Sequence, residues 1–283
     1  MASSPLIFDR KLLRARRARA AALGPATFLL DRVADDMADR LSAVLRTFEV
    51  AADVATPGDA VRRALAGKVS SFADAVTDDE VLPFREGSLD LVVSGLGLQF
   101  VNDLPGTLIQ IRRALKPDGL FMAALIGGDS LVELREAFGV AETEVEGGVS
   151  PRVAPFADLR DLGALLQRAG FALPVTDVDR VTVRYSDPLA LMHDLRKMAA
   201  TNALVERRRT PLKRATLRRM FEIYSERFAD ADGRVRATFE IVWLSGWVPH
   251  ESQQKPLAPG SAKTRLADAL KTQELPAGEK AGR

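Results

Sequence analysis

The chain has 283 residues, of which 47% are hydrophobic and 28% charged, and its formal net charge is +2. These values are typical of a globular α/β domain, and a charge this close to balance gives no indication of nucleic-acid binding. Cysteine is absent and histidine occurs only twice, which excludes disulfides and thiolate metal sites and argues against a histidine-rich metal centre. No stretch approaches the roughly 18 uncharged apolar residues of a membrane span, so we expect a cytoplasmic protein, with peripheral membrane contact left open.

Residues 5–23 are rich in Arg, Lys and Ala, contain a single acid, Asp9, and are predicted to form a basic helix. This segment is interpreted as a targeting peptide, as an arm that meets an acidic or membrane surface, or as a solvated helix. In the last case it would pack on the domain through its apolar residues Leu6, Ile7, Phe8 and Leu12. A second helix is predicted from Phe28 to about Leu45.

Glu49 to Val54 occupies the position of the first strand of a nucleotide-binding sheet. Such a strand is usually followed by a Gly-x-Gly-x-x-Gly loop, but the loop here contains one glycine, Gly58, and one proline. The nearby carboxylate of Asp59 would repel phosphate, so the loop is not a phosphate cradle, whereas a nucleoside without phosphate is compatible with it. Asp53 is then a candidate partner for an amino group, the alternative being that it bonds the backbone of the turn.

The segment from Ala60 to Val81 is too short for a complete second strand–helix unit. Lys68 to Asp74 predicts a remnant strand, which would place Asp74 where a ribose-binding acid is expected. Asp79 lies in the acidic run that follows. The first half of the sheet is therefore predicted to be degenerate.

The stretch from Leu82 to Leu125 predicts a strand, a helix and a second strand. Asp90 to Gly95 is a short apolar run typical of a buried parallel strand, and Leu120 to Leu125 is another. The helix between them repeats apolar residues at helical spacing and ends at the turn Lys116-Pro117-Asp118-Gly119. A unit of this kind is a right-handed crossover in a parallel sheet, and ligands bind at the carboxyl ends of such strands. We therefore expect ligand contacts at Gly97–Asn102 and Ile126–Ser130.

The second strand is followed by Gly127-Gly128-Asp129-Ser130 and a helix from Leu131. The two glycines allow a ligand to approach the backbone, or the segment is a plain helix entry capped by Asp129 or Ser130. Ala141 to Phe156 has little regular pattern and is predicted to be a lid or binding loop. Arg152 in this loop is a candidate substrate contact.

The remaining chain predicts a helical insertion before a last strand. The expected elements are a helix at Asp158–Ala169, an exposed antiparallel strand at Val175–Tyr185, helices at Leu189–Ala200 and Leu212–Phe228, and a strand at Ala237–Trp247. His250 beside Glu251 is a candidate acid/base group. From Gln253 onward the composition predicts a tail. A basic patch at residues 206–219 faces either an acidic protein partner or solvent, and its few aromatic residues give no indication of a nucleic-acid site.

These segments together resemble the class I S-adenosylmethionine (SAM) methyltransferase superfamily, with its methyltransferase type 11 domain. Within it they resemble the respiratory complex I assembly factors described as arginine hydroxylases and their alphaproteobacterial relatives. The family-specific motifs are IFDRK at Ile7–Lys11, GGDSLVELR at Gly127–Arg135, AETEVEGGVSPRVAPF, DLGALLQRAGF and GWVPHES.

The resemblance implies an α/β, Rossmann-like methyltransferase sheet with helices on both faces and a helical insertion at residues 185–235. The domain would span residues 28–252, between an N-terminal arm of residues 1–27 and a tail of residues 253–283. It further implies SAM as cofactor, and the candidate cofactor-binding residues are Asp53, Gly58, Asp74, Asp79, Gln99 and Phe100. The candidate substrate-facing residues are Asp129, Glu142, Arg152 and His250.

The function implied by the resemblance is modification of an arginine in a complex I subunit. Two alternatives accompany it. The chain would be a cofactor-free binding or assembly factor if the departures in the first loop remove the cofactor pocket. It would be a SAM-dependent methyltransferase of a small molecule if the long loop does not serve a protein partner.

Overall fold

The computed structural model describes residues 6–73, 80–254, 261 and 264–273. The chain divides into two compact units, Met1–Pro249 and His250–Arg283. The first unit contains, in order, α1 (Arg10–Leu23), α2 (Phe28–Ser42), β1 (Phe48–Asp53), α3 (Ala60–Ala64), β2 (Val69–Phe72), β3 (Leu89–Gly95), α4 (Leu104–Ala114), β4 (Leu115–Ile126), α5 (Val132–Glu146), α6 (Leu159–Arg168), β5 (Ala172–Tyr185), α7 (Pro188–Lys197), α8 (Arg214–Phe228) and β6 (Val235–Trp247). The second unit contains α9 (Leu266–Leu270).

The strands of the described residues form one six-stranded sheet in the order β2-β1-β3-β4-β6-β5. β1 pairs in parallel with β2 and β3, and β3 pairs in parallel with β4. β6 runs antiparallel between β4 and β5. The chain leaves β1 toward one edge of the sheet and returns through β3 on the other side of β1, so a topological switch point lies between β1 and β3. The predicted α/β class and the predicted β3–α4–β4 crossover are confirmed.

Both faces of the central strands are buried, which explains why these strands are apolar without alternation. On one face, α2 and α3 place Met37 and Val61 against Leu91 and Val93. On the other face, α4 and α6 place their apolar residues Leu108, Ile111, Leu162 and Leu166 against the sheet. The two helical layers hold the carboxyl edge of the parallel strands in place.

A third apolar cluster joins the helical insertion to α5 and to the start of β6. Phe138 of α5, Leu191 of α7, Tyr224 of α8 and Phe239 of β6 all belong to it. The hydroxyl of the fully buried Tyr224 donates to the Arg236 carbonyl at 2.8 Å. The insertion is thus packed on the sheet domain through its own core.

The N-terminal segment is tied to the domain through the loop that follows β3. Asn102 accepts from the backbone N–H groups of Ile7 at 2.9 Å and Phe8 at 2.8 Å, and its amide nitrogen donates to the Phe8 carbonyl at 3.3 Å. Phe8 is buried against the edge of the Phe100 ring and forms an antiparallel bridge with Leu204. α1 therefore begins from a fixed point on the domain.

The predicted packing residues of this segment are partly wrong. Phe8 is buried as expected, but Leu6 and Ile7 are exposed, and Leu13 of α1 is buried. α1 begins only at Arg10, so Leu6 and Ile7 lie in an extended segment outside the helical face. Within the helix, the buried residues are Leu13 and Ala20, which lie two turns apart on one side.

Two other predicted boundaries are corrected. The turn expected at Lys116–Gly119 is a bulge inside β4, because the register passes from Leu89↔Leu115 directly to Leu91↔Leu120. α5 continues through Glu146, so the first part of the predicted irregular loop Ala141–Phe156 is helical. The residue before α5 is Leu131 at φ +56°, and neither Asp129 nor Ser130 caps this helix. No helix of the described residues is long and apolar enough to cross a membrane.

We predict that Asn102→Ala lowers the free energy of unfolding by about 1–3 kcal/mol, because it removes three hydrogen bonds to the N-terminal segment. Hydrogen exchange should show faster exchange of the α1 amides than in the wild type. Asn102→Asp is the matched control, since it keeps the acceptor for both N–H groups and loses only the donor to Phe8. Unchanged α1 protection in Asn102→Ala would show that Asn102 does not anchor this helix.

Candidate functional site

A cavity of about 1020 Å³ lies at the carboxyl ends of β1 and β3. Its floor is formed by the loops that follow these strands, including Thr56 and Leu96, and one wall is formed by Leu13 of α1. Phe138 of α5 and Leu195 of α7 line further walls. The cavity thus occupies the topological switch point, where ligands bind in open α/β sheets.

The floor depends on a close approach between the two loops. A Cβ atom on Gly97 would lie only 2.1 Å from the carbonyl oxygen of Ala55, so no other residue fits there without movement of the backbone. Ala55 itself has φ +64°. The N–H of Gly95 donates to the Thr56 hydroxyl at 2.8 Å, which fixes the two loops to each other.

Asp53 lies at the end of β1 and is 3% exposed. Its Oδ1 has no hydrogen-bond partner, and its Oδ2 lies 3.9 Å from Nε of Arg62. Burial raises the pKa of Asp53 to about 6, although the Thr56 hydroxyl and the Arg62 charge act in the opposite direction. Asp53 Oδ1 is thus a buried acceptor whose hydrogen-bonding capacity is unused among the described residues.

Gln99 and Phe100 lie in a single 3₁₀ turn, Leu98–Phe100, after β3. Gln99 donates through Nε2 to the Leu96 carbonyl at 2.8 Å, while its buried Oε1 has no partner. Both residues line the cavity. Gln99 therefore offers a second unpaired acceptor at this edge of the sheet, and Phe100 offers a ring face.

Gly58 lines the cavity at φ +78° with open space around its Cα atom. Asp74 and Asp79 lie outside the described residues. Of the predicted cofactor-binding residues, the structure thus places Gly58, Gln99 and Phe100 on the cavity surface, whereas Asp53 is buried and is not among the residues that line the cavity. Their roles stay predictions.

Glu142 on α5 is completely buried and is fully occupied by the loop that follows the helix. It accepts from the backbone N–H of Ser150 at 2.7 Å, from the Ser150 hydroxyl at 2.8 Å, and from Arg152 Nε at 2.8 Å and Nη2. Burial alone would raise the pKa of Glu142, but these hydrogen bonds and the Arg152 charge lower it below the usual value of 4.5. The Arg152 guanidinium also lies 5.4 Å from the centre of the Phe138 ring.

This arrangement makes Arg152 a cavity-wall residue held by Glu142. Because every hydrogen bond of Glu142 goes to its own loop, we assign it a positioning role. Asp129 is 64% exposed in an ion pair with Arg180 and is not part of the cavity wall. His250 belongs to the second unit, where its Nδ1 lies 2.7 Å from the Ser252 hydroxyl.

Sequence reasoning missed the contribution of α1 and α7 to the cavity. The cavity is lined by Leu13 and Ala20 of α1, by Leu195 of α7 and by Ala199, which follows α7. The small and apolar residues that repeat along α1 indicate a buried helix face. No residue near α1 in the sequence indicates that this face meets α7. Thr56 was also missed, because it stands in a loop without a recognised motif.

We predict that Glu142→Gln lowers the free energy of unfolding by about 3–5 kcal/mol at neutral pH, because it leaves the Arg152 charge in a buried pair without its partner. In the wild type, the depressed pKa of Glu142 adds stability above pH 4.5 that is lost as the pH falls through the folded-state pKa. The variant should lack this acid-dependent loss, measured by denaturant unfolding at several pH values.

The double variant Glu142→Gln/Arg152→Met serves as the control for this prediction. It removes both charges and should recover stability relative to Glu142→Gln alone, since no unpaired charge remains. A double variant that is no more stable than the single variant would contradict the importance of the pair.

The family described as "Methyltransferase domain" matches residues 38–123 of this chain. Arginine-hydroxylase NDUFAF5, mitochondrial, of Danio rerio is 38% identical over 293 residues, covering 95% of this chain and 91% of that protein. The protein of the same name from Homo sapiens is 38% identical, covering 97% of this chain and 86% of that protein. The structure of a candidate methyltransferase from Bacillus halodurans superposes with a TM-score of 0.51 at 16% identity, covering 76% of this chain and 99% of that chain, which shows the fold. The chain therefore belongs to the arginine-hydroxylase NDUFAF5 family and is built on a methyltransferase-type α/β domain.

Proposed function

We propose that this chain modifies an arginine of a subunit of the respiratory NADH:quinone oxidoreductase, complex I, at the cavity above β1 and β3. The observation that supports this most is the extent of the similarity to proteins named arginine hydroxylases, which covers 95% of the chain. Such coverage takes in α1, α5 and α7 as well as the sheet, and these helices form the cavity walls. We further infer that the chain acts on the cytoplasmic side of the membrane, in peripheral contact with it.

Hydroxylation of arginine converts a C–H bond into a C–OH bond, which is a two-electron oxidation. The balanced co-reactants are dioxygen and a two-electron donor, so that one oxygen atom enters the arginine and the other leaves as water. What the chain itself contributes under this proposal is a site that excludes water and orients the substrate. Apolar wall residues of α5 such as Leu134 and Phe138 suit the methylene groups of an arginine side chain.

We propose that SAM binds at the floor of the same cavity. The support is two unpaired acceptors, Oε1 of the cavity-lining Gln99 and Oδ1 of the buried Asp53 at the end of β1, because the amino and hydroxyl groups of SAM are donors. SAM has no phosphate, and the loop with its single glycine does not form a phosphate cradle. When bound, SAM supplies an activated methyl group on a sulfonium centre.

A second function is a cofactor-free binding factor for a complex I subunit. The loop after β1 favours it, because it contains one glycine, Gly58, and one proline, Pro57, where a cofactor-binding sheet usually has a Gly-x-Gly-x-x-Gly loop. On this alternative the cavity and its walls serve only to hold a partner.

We predict that the protein binds SAM with micromolar affinity in calorimetry and that Asp53→Asn weakens this binding at least tenfold. The same variant tests the pKa of Asp53. Because that pKa is raised to about 6, the wild type loses stability as the pH rises from about 4 to 6, and Asp53→Asn should remove this loss. At pH 7 the variant should be more stable than the wild type by roughly 1–3 kcal/mol.

Asp129→Asn is the matched control, since it makes the same change at an exposed carboxylate. It should leave SAM binding and the pH profile between 4 and 6 unchanged. If the wild type shows no SAM binding, the cofactor proposal fails and the second function is supported.

We predict that an arginine modification in a complex I subunit disappears in a strain that lacks this chain and returns with the wild-type gene or with Asp129→Asn. Mass spectrometry of the subunits measures it, and the added mass distinguishes one oxygen atom from one methylene group. Asp53→Asn should not restore the modification. If complex I is lost on deletion while no arginine modification is present in any strain, the chain acts as a binding factor.

A further inference from the structure

Four side chains surround a small hollow beside the main cavity. Arg16 and Arg19 stand three residues apart on α1, so both face the same side of the helix. Arg196 comes from the last turn of α7, and Thr201 follows that helix. Together they line a hollow of about 190 Å³. Arg16 Nη1 donates to the Thr201 hydroxyl at 2.6 Å, which joins the two sides of the hollow.

The cluster gathers three guanidinium groups, those of Arg16, Arg19 and Arg196. Burial, together with the charges of Arg207 and Arg19, lowers the pKa of Arg16, and Asp9 acts in the opposite direction. Asp9 is itself bound to Arg207 at 3.1 Å. Among residues 6–73 and 80–249, no carboxylate forms an ion pair with Arg19 or Arg196. Three guanidinium groups gathered in this way repel one another, and a bound anion would relieve that repulsion.

The hollow adjoins the main cavity through two shared residues. Arg196 and Thr201 line both spaces. Apolar cavity-wall residues come from the same elements: Leu13 and Ala20 from α1, Leu195 from α7, and Ala199 from the segment that follows α7. This end of the cavity lies between α1 and α7, whereas the acceptor Asp53 ends β1 and the acceptor Gln99 lies in the turn after β3.

From this juxtaposition we propose that the chain binds an amphiphile with an anionic head group and a single aliphatic chain. The arginine cluster and Thr201 hold the head group, and the aliphatic chain lies in the cavity between α1 and α7. A carboxylate and a phosphate monoester share the required chemistry, since each accepts several charge-assisted hydrogen bonds from guanidinium groups. The amphiphile site goes beyond the proposed arginine modification and does not depend on it.

An acidic peptide fits the arginine cluster but not the space beside it. The N–H and C=O groups of a peptide backbone would be buried in an apolar cavity, which costs free energy when they lack hydrogen-bond partners. An aliphatic chain has no polar groups that would lose hydrogen bonds there, and its transfer from water into the cavity is favourable. The combination of a cationic hollow and an apolar cavity therefore favours a lipid-like ligand.

Calorimetry with dodecyl phosphate and dodecanoate, each below its micelle concentration, tests the proposal on the full chain. Both should bind, and the two head groups distinguish a phosphate lipid from a fatty acid. Each methylene removed from the ligand chain should weaken binding by up to about fourfold. Dodecanol and inorganic phosphate should each bind at least tenfold more weakly than dodecyl phosphate.

Arg19→Gln and Arg196→Gln should each weaken binding of dodecyl phosphate about tenfold or more, because each loses a charge-assisted contact. Arg218→Gln is the matched control: it removes an exposed guanidinium on α8 that pairs with Glu222, and it should leave binding unchanged. Arg19→Gln and Arg196→Gln should both keep the wild-type circular dichroism. Their SAM binding should also be unchanged, which separates failure of this proposal from failure of the proposed function.

Three results would overturn the proposal. Inorganic phosphate that binds as tightly as dodecyl phosphate would leave no role for the apolar cavity. Unchanged affinity in Arg19→Gln and Arg196→Gln would remove the head-group site. Binding to anionic phospholipid vesicles without binding to the monomeric amphiphiles would show that the cluster contacts a membrane surface instead.

Discussion

Between β1 and β3 the backbone of one loop touches the backbone of the next, and the absence of a side chain at Gly97 is what permits it. This contact fixes the position of the cavity floor, because Thr56 and Leu96 belong to the same two loops. Ala55 holds a left-handed backbone conformation that costs roughly 1 kcal/mol, and the surrounding packing maintains it. A strained, over-determined turn at the edge of a sheet is typical of sites that must hold their geometry before a ligand arrives.

Two of the buried carboxylates among the described residues, Glu142 and Asp53, differ in how their oxygens are hydrogen-bonded. Glu142 satisfies all its hydrogen bonds within its own loop, so its pKa falls and the carboxylate stays charged. Asp53 keeps one oxygen unpaired, so burial dominates and its pKa rises to about 6. Glu142 fixes Arg152 in the cavity wall. Asp53 keeps one acceptor oxygen that a ligand or a proton would satisfy. In the sequence, both residues are acids next to apolar residues, so the sequence does not distinguish them.

The sequence predicted the features that depend on residues close together in the chain, and it missed those that depend on contacts between distant segments. The β3–α4–β4 unit was readable because apolar spacing, the Asp103 cap and the parallel-strand composition all indicate the same structure. The packing of Leu6 and Ile7 was mispredicted, because the course of that segment depends on Asn102 and on a strand-like contact with Leu204, far away in the chain. The cavity walls were missed for the same reason: the meeting of α1 with α7 is a long-range event without a local signature. At the carboxyl edge, the rule that ligands bind there in open α/β sheets correctly indicated where a cavity lies, whereas the roles of the residues at this edge stay predictions.

The match to the methyltransferase domain spans residues 38–123, which includes β1 to β3 and most of β4. The α1, α5 and α7 walls all stand outside that range. The sheet and the cavity walls are therefore formed by separate stretches of the chain. The segment before α1 is joined to the domain by backbone hydrogen bonds to Ala203 and Val205 as well as by the side chain of Asn102. Exchanging α1 between relatives would therefore change one wall of the cavity while leaving the residues of the loops after β1 and β3 unchanged.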